Sequence, residues 1–359
     1  MFREFKIGDT VVGEKYPPYF IADIGANHDG SLERAFKLIE LAKAAGANAA
    51  KFQNFHASKI VSKIGFENLR GKLSHQSTWK KSVYEIYEDA SISLDWTARL
   101  KEKCDDTGIE YFTSPYDIES VDFVNAYVNL YKIGSGDITW LEIIKHIGDK
   151  GKPVLLATGA STIEDVDRAM NVLAKFTNNI CLMQCNTNYT LDSNKYKFVN
   201  LNVLNTFRSR YPGVVLGLSD HTIGNAMVLG AVALGARVFE KHFTDSNELE
   251  GPDHKFAMNP VSWKKMVEGA LEVFYALGDG IKRVEENEID SKIVQRRALR
   301  ATNDLAAGKE INANDLEALR PIPEDGIEPY NAYELIGKKL TKAVNKGEHL
   351  TSLHFILKK

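Results

Sequence analysis

The chain has 359 residues, 44% of them hydrophobic and 26% charged, with a formal net charge of −3. That length buries a large core and accommodates two domains. The balanced charge gives no electrostatic ground for nucleic acid or an acidic membrane as the main partner, and the longest apolar run, "AMVLGAVALGA", falls well short of a bilayer span.

The N-terminal stretch "MFREFKIGDTVVGEKYPPYF" lacks a continuous apolar signal core, so the expectation is a soluble, cytoplasmic protein. Three cysteines occur, Cys104, Cys181 and Cys185. The last two share a strand-like run, where four residues span roughly 13 Å, and a disulfide needs Cα atoms within about 7 Å. Packing roles in a reducing compartment follow.

Eight β-rich runs come in chain order: 19–25, 49–53, 109–115, 129–135, 153–159, 179–185, 214–220 and 237–243. Amphipathic stretches separate them. In "SLERAFKLIELAKAAG", Ser31 stands as an N-cap, Leu32, Ala35, Phe36, Ile39, Ala42 and Lys43 step at helical spacing, and Gly46 stops the helix. "STIEDVDRAMNVLAKF" repeats the design, with Ser161-x-x-Glu164 as a capping box. The last helix of this series is "PVSWKKMVEGALEVFYALG". Strand–helix alternation repeated eight times predicts a (β/α)₈ TIM barrel over 1–282, a doubly wound open sheet being the competing arrangement. The stretch 54–92 is too long for an ordinary βα loop and is expected to cover or border the site. Residues 283–297 read as a charged linker, and 298–359 as a small β-rich domain of short strands and turns, twice marked by a glycine before a charged residue.

Barrel active sites lie at the carboxyl ends of the strands. There the sequence places Asp23, Asn27 and His28, then Lys51 and Gln53, then Thr113 and Ser114. Lys132, Ser135 and Asp137 follow, then Thr158 and Gly159, then Asn186, Thr187 and Tyr189. Ser219, Asp220 and His221, and finally Glu240 and His242, complete the rim. His221 and His242 end neighbouring strands, about 5 Å apart across the sheet, so two imidazoles can share one divalent ion and leave positions open. Mixed nitrogen and oxygen ligation suits Mn²⁺ or Mg²⁺, with Zn²⁺ or Co²⁺ as substitutes. Lys51 and Lys132, with hydroxyls and glycine amides close behind, suit a compact polyanion such as a phosphate ester. Asp23, Asp137, Glu240 and Asp253 can hold sugar hydroxyls, orient water at the ion or move protons.

Taken in order, "FIADIGANHDGSL", "KFQ", "FTSPY", "YKIGSGD", "ATGAS", "GLSDHT", "ALGARVFEKHFT" and "GPDHKFAMNP" resemble the sialic acid synthase family, over roughly residues 17 to 356. The resemblance implies a TIM barrel joined to a small C-terminal antifreeze-like (SAF) domain. It implies condensation of phosphoenolpyruvate with an open-chain N-acyl mannosamine-type sugar, giving inorganic phosphate and a nine-carbon 2-keto acid. His221 and His242 match the metal ligands. Lys51, Ser114, Lys132, Ser135, Thr158, Thr187 and Ser219 match positions around phosphoenolpyruvate; Gln53, Asp137, Tyr189 and Asp253 match positions on the acceptor. Arg320 matches an arginine that the SAF domain of one subunit sends into the barrel of the other in a domain-swapped homodimer. Glu240 is expected to orient water at the metal.

Asp23, and often Asp137, stand where the family has glutamate, and Ala157 stands where some relatives have serine. The acceptor therefore stays open between N-acetylmannosamine, a diacetamido-trideoxyhexose leading to legionaminic- or pseudaminic-type acids, and another modified sugar. Two rival readings are a synthase acting on a phosphorylated aldose, as in Kdo-8-phosphate formation, and a carbohydrate-binding barrel and SAF module without catalysis. The barrel motifs show no spare arginine cluster for an acceptor phosphate.

Overall fold

A computed structural model of the chain describes residues 4–69, 81–188 and 193–355. Two compact units divide between Leu277 and Gly278. The charged stretch 283–297 falls in the second and carries a short helix, Ile289–Gln295.

The chain opens with a hairpin that the strand reading above does not include. Strand β1 (Glu4–Ile7) pairs antiparallel with β2 (Thr10–Gly13), and Phe5, Ile7 and Val12 join the main core. The period-two alternation of "EFKI" and a turn through Gly8 (φ +55°) are its sequence signals. Eight parallel strands follow: β3 (Tyr19–Asp23), β4 (Ala49–Asn54), β5 (Glu110–Pro115), β6 (Tyr131–Ile133), β7 (Val154–Ala157), β8 (Ile180–Cys185), β9 (Val215–Ser219) and β10 (Val238–His242). Their order is β5-β4-β3-β10-β9-β8-β7-β6, with β5 and β6 side by side where the ladder is open. The sheet is a nearly closed (β/α)₈ barrel, and the open doubly wound arrangement is excluded. Seven strands are one to four residues shorter than their apolar runs, trimmed at one or both ends where the ladder stops, while β4 runs one residue further, to Asn54.

Helices pack apolar stripes onto this barrel. The Leu32–Ala44 helix buries Leu32, Ala35, Leu38, Ile39 and Ala42, while Lys43 stays outside. Ser31 caps it by accepting from the Arg34 N–H, and Gly46 turns the chain at φ +96°. The Ile163–Leu173 helix starts one residue later than the sequence reading has it. Thr162 and Asp165 form the reciprocal capping box, whereas the Ser161 hydroxyl donates to the Gly159 carbonyl. Both registers satisfy the spacing rule, and the turn through Ala160 (φ +52°) selects the second. The Pro260–Ala276 helix closes the unit under an Asn259 cap.

In the second unit β11 (Ala298–Ala301) pairs antiparallel with β12 (Leu316–Leu319). Residues 301–311 and 340–350 form equivalent turns through Gly308 and Gly347, joined where Leu305 and Val344 exchange backbone hydrogen bonds of 2.8 and 2.9 Å. Leu305, Ile311, Leu340, Val344 and Leu350 fill its core. All three cysteines are free and buried. Among the described residues no helix is long and apolar enough to cross a membrane.

Candidate active site

Parallel strands deliver alternate side chains to the barrel interior, and at the carboxyl rim those side chains are charged. On β10 the interior positions near the rim are Glu240 and His242; on β9 it is Ser219, opposite Glu240 in register. His242 stands beside Asp23, and Asp23 beside Lys51. The result is a buried cluster. Lys51 Nζ lies 2.8 Å from Asp23 Oδ2 and 3.9 Å from Glu240 Oε1; Lys132 Nζ lies 3.2 Å from that same Glu240 oxygen. The Ser219 hydroxyl adds a long contact of 3.4 Å. Burial alone would push the Glu240 carboxyl up, but Lys132 and Lys51 outweigh it and hold the group ionised. For Lys51 burial works against the charge, and Asp23 and Glu240 more than restore it.

The cluster is not internally complete. Asp23 Oδ1, Glu240 Oε2 and the Ser114 hydroxyl are buried without a hydrogen-bond partner among the described residues. Such orphaned atoms are costly and mark places where a ligand or water belongs.

These groups floor a cavity of about 490 Å³. Of the residues singled out in the sequence, Asp23, Lys51, Gln53, Ser114, Lys132, Ser135 and Asp137 line it, as do Thr187, Ser219, His221, Glu240, His242 and Asp253. The Ser135 hydroxyl accepts from the Gly159 N–H at 2.9 Å. Asp137, partly buried, has its pKa raised to about 6 by burial, with Lys132 opposing. Thr158 is not brought in: its hydroxyl donates to the Met183 carbonyl at 3.0 Å. Asn27 and His28 fasten the turn after β3 instead. Asn27 donates to the Phe243 carbonyl at 2.9 Å, and His28 Nδ1 accepts from the Gly30 N–H. Tyr189 lies outside the described residues, and Arg320 belongs to the second unit.

The two imidazoles face one another with ring centroids 5.6 Å apart. His221 Nδ1 lies 3.0 Å from the Asn186 carbonyl, so that nitrogen carries the proton and Nε2 keeps its lone pair. Burial, assisted by His242, lowers the His221 pKa to about 3, so the ring is neutral. His242 sits 3.8 Å from Asp23 Oδ2 and 3.6 Å from Asp253 Oδ2. A side chain at Gly25 (φ +51°) would place its Cβ 3.2 Å from Asp253 and 3.3 Å from His242, so glycine keeps this corner open. No three His, Cys, Asp or Glu side chains among the described residues are spaced as a closed metal cage. The donor set, two imidazoles with the Asp23 and Asp253 carboxylates nearby, suits a divalent ion that keeps open positions. Charge points the same way: two ammoniums, Lys51 and Lys132, meet four carboxylates, Asp23, Asp137, Glu240 and Asp253, in the lining. The lysines are already compensated, and a polyanion needs further positive charge there.

Three features were not read from the sequence. The helix Val83–Ala90 contributes Ile86, Tyr87 and Ala90 to the cavity, and the preceding stretch contributes Phe55 and Ile60. These positions fulfil the expectation that 54–92 borders the site, yet only the helical spacing of 83, 86, 87 and 90 could have singled them out. Tyr116, just after β5, also lines the cavity. Lys241, pointing away from it, forms a buried pair with Asp220 at 2.5 Å and donates to the Thr222 carbonyl at 2.6 Å. Asp220 in turn accepts from the Thr222 N–H and hydroxyl, both at 2.9 Å. This network fixes the turn that carries His221.

Fold and site together define a barrel whose carboxyl rim gathers lysines, carboxylates, hydroxyls and two imidazoles around one cavity. Family comparison agrees. Residues 38–282 match the model of the NeuB family and residues 296–355 that of the SAF domain. The N,N'-diacetyllegionaminic acid synthase of Legionella pneumophila is 32% identical over 350 residues, 95% of this chain and 96% of that protein. The pseudaminic acid synthase of Campylobacter jejuni is 31% identical over 337 residues, 92% of this chain and 95% of its own length. The crystal structure of N-acetylneuraminic acid (sialic acid) synthetase from Leptospira borgpetersenii, in complex with citrate, superposes with a TM-score of 0.70 at 27% identity, covering 81% of this chain and 95% of that one. The chain belongs to the NeuB family: it is a synthase of the sialic acid type, a transferase that forms carbon–carbon bonds, with a SAF domain at its C-terminal end.

Proposed function

We propose that the cavity condenses phosphoenolpyruvate with an open-chain N-acyl hexosamine-type sugar, releasing inorganic phosphate and a nine-carbon 2-keto sugar acid. The observation that carries this is the lysine–carboxylate floor with its orphaned oxygens, set below a rim of hydroxyls and two imidazoles. Lys51 and Lys132 hold the phosphate and carboxylate of the enol ester, and Ser114, Ser135, Thr187 and Ser219 add donors around them. Gln53, Asp137 and Asp253 orient the acceptor over the enol carbon. A divalent ion, Mn²⁺ or Mg²⁺ by the donor chemistry, is held by His221 and His242, and when bound it supplies positive charge to the acceptor aldehyde.

Attack by the enol carbon forms the carbon–carbon bond. The aldehyde oxygen becomes an alkoxide that takes a proton, and positive character develops at the carbon bearing the phosphate oxygen. Glu240 sits within this charge field with Oε2 available. There it accepts a proton from the water that adds to that carbon; the carbon–oxygen bond to phosphate then breaks with its electron pair leaving on the phosphate, which takes the remaining hydroxyl proton as that oxygen becomes the 2-keto group.

The remaining features extend this reading. Arg320 reaches the acceptor's acyl oxygen from a partner subunit of a domain-swapped homodimer, and the protein works in the cytoplasm on small molecules. Phosphate release from phosphoenolpyruvate, dependent on a hexosamine and on Mn²⁺, with the product mass read by mass spectrometry, tests the central claim. Release that ignores the sugar would sink it. An active monomer in solution would remove the role of Arg320. So would an Arg320→Ala variant whose phosphoenolpyruvate KM rises as much as its sugar KM.

A further inference from the structure

A second cavity, of about 220 Å³, lies at the opposite end of the barrel, where β9 and β10 begin. Arg208, Arg237 and Glu14 line it, together with residues 211–216 and Gly235. Arg237 stands five residues before His242, roughly 17 Å back along the strand, so this cavity is separate from the one at the carboxyl rim.

Arg237 is only 4% exposed. Its Nε donates to the Glu14 carbonyl at 2.9 Å, and Nη1 donates to the Val232 and Ala236 carbonyls at 3.1 and 2.7 Å. Nη2 has no partner among the described residues, and Cζ lies 5.0 Å over the Phe274 ring. Arg208 donates to the Leu234 carbonyl and, at 3.3 Å, to the Asn205 side-chain oxygen. Gly235 (φ +86°) permits that approach, since a Cβ there would overlap Arg208 Nη2. The Val232 and Leu234 carbonyls end the Ala226–Ala233 helix, whose dipole favours cations at that position.

Helix capping accounts for the presence of both arginines but does not neutralise them. Each of these acceptors is uncharged. Among the described residues neither guanidinium has a carboxylate within ion-pair distance, whereas Arg210 close by is paired with Asp167. Burial lowers the Arg237 pKa, with Glu14 opposing and Arg208 adding to the effect. A buried guanidinium without a counter-ion, next to open space, carries a desolvation cost that a bound anion offsets. Two guanidinium forks supply two charges and planar pairs of donors, which match a phosphate dianion better than a single carboxylate. We propose that this cavity at the amino end of the barrel is a phosphate-binding site, with Arg208 and Arg237 holding the anion and Glu14 limiting its affinity.

The test titrates inorganic phosphate calorimetrically into the full-length protein and into its Arg208→Gln and Glu14→Gln variants, all at fixed ionic strength in chloride. Both side chains are exposed, so both variants keep the fold. Any phosphate bound at the carboxyl rim is common to the three proteins and cancels in the comparison. Arg208→Gln should weaken one class of phosphate site by about tenfold, and Glu14→Gln should tighten the same class by about threefold. A role confined to helix capping would move neither constant. Repeating the titration with glycerol 3-phosphate separates the sources: tighter binding than inorganic phosphate supports a monoester as the ligand, and weaker binding supports the free ion. Coincident isotherms for the three proteins overturn the site. So does binding that chloride at the same concentration abolishes, which would mark an adventitious ion only.

Discussion

Two buried lysine–aspartate pairs, Lys241–Asp220 on β10 and the turn after β9 and Lys51–Asp23 on β4 and β3, have opposite characters. Lys241 faces outward. Its ammonium is shared between Asp220 and the Thr222 carbonyl, and both Asp220 oxygens are bonded. Lys51, reached through Glu240 on the inner face, belongs to a cluster in which Asp23 Oδ1 and Glu240 Oε2 have no partner among the described residues. The chemistry of the groups is the same; their satisfaction is not. A closed network holds backbone in place, while an open one adjoining a cavity is poised for a ligand. Charge and burial alone do not separate structure from function; unfilled hydrogen-bonding positions beside a cavity do.

The sharpest way to break this comparison is to remove each lysine. Lys51→Met should lower kcat/KM for phosphate release by about 10³-fold, roughly 4 kcal/mol, because charge stabilisation is lost where charge moves. Its urea midpoint should fall less than that of Lys241→Met, since the cavity lets water reach Asp23. Lys241→Met leaves Asp220 buried without its counter-ion and should lose about 3 kcal/mol of stability in urea unfolding. Equal stability losses in the two variants would dissolve the distinction.

Metal binding gives a readout independent of turnover. Manganese at a hundredfold excess over its dissociation constant should stabilise the protein by about 2.7 kcal/mol in thermal unfolding. The gain should vanish in the His221→Ala/His242→Ala variant. A melting curve that neither manganese nor chelation shifts would remove the ion from the site.

Asp137 offers a pH-dependent test of the open side. Its pKa is raised to about 6 in the folded chain, above the ordinary aspartate value of about 3.9. Between those values the native state holds more proton than the unfolded one, so this group makes stability fall as pH rises from 4 to above 6. Asp137→Asn should match the wild type near pH 4 and exceed it above pH 6, by on the order of 1 kcal/mol. Identical pH profiles would refute the burial of this carboxyl. The smallest effect belongs to Thr158, whose hydroxyl is committed to Met183. Thr158→Val should cost about 1 kcal/mol of stability and leave the phosphoenolpyruvate KM within about twofold.

Much of this site was legible because barrel topology sends every strand end to one rim. Once eight runs were aligned, Lys51, Lys132, Glu240, His221 and His242 could be gathered without coordinates. Thr158 shows the limit: its position at the end of β7 was right, but which carbonyl claims its hydroxyl depends on β8 beside it. The capping box slipped from Ser161 to Thr162 for a similar reason, two local solutions being separated only by the turn that precedes them. Tyr87 and Phe55 were invisible as site residues because helical spacing says which side of a helix is apolar, not whether core or cavity lies opposite.

The sequence alone determined the alternation of strand and helix, and with it the barrel and the small β-rich unit after it, because apolar periodicity is a local property of the chain. It also determined which ionisable groups stand at the rim. Tertiary structure decided which of them are satisfied. Hydrogen bonds between Lys132 and Glu240, or Lys241 and Asp220, join residues 108 and 21 positions apart. Pairing of β9 with β10 suffices for the second, whereas only the curling of the sheet brings Lys132 on β6 to Glu240 on β10 and takes away the water that would otherwise serve them.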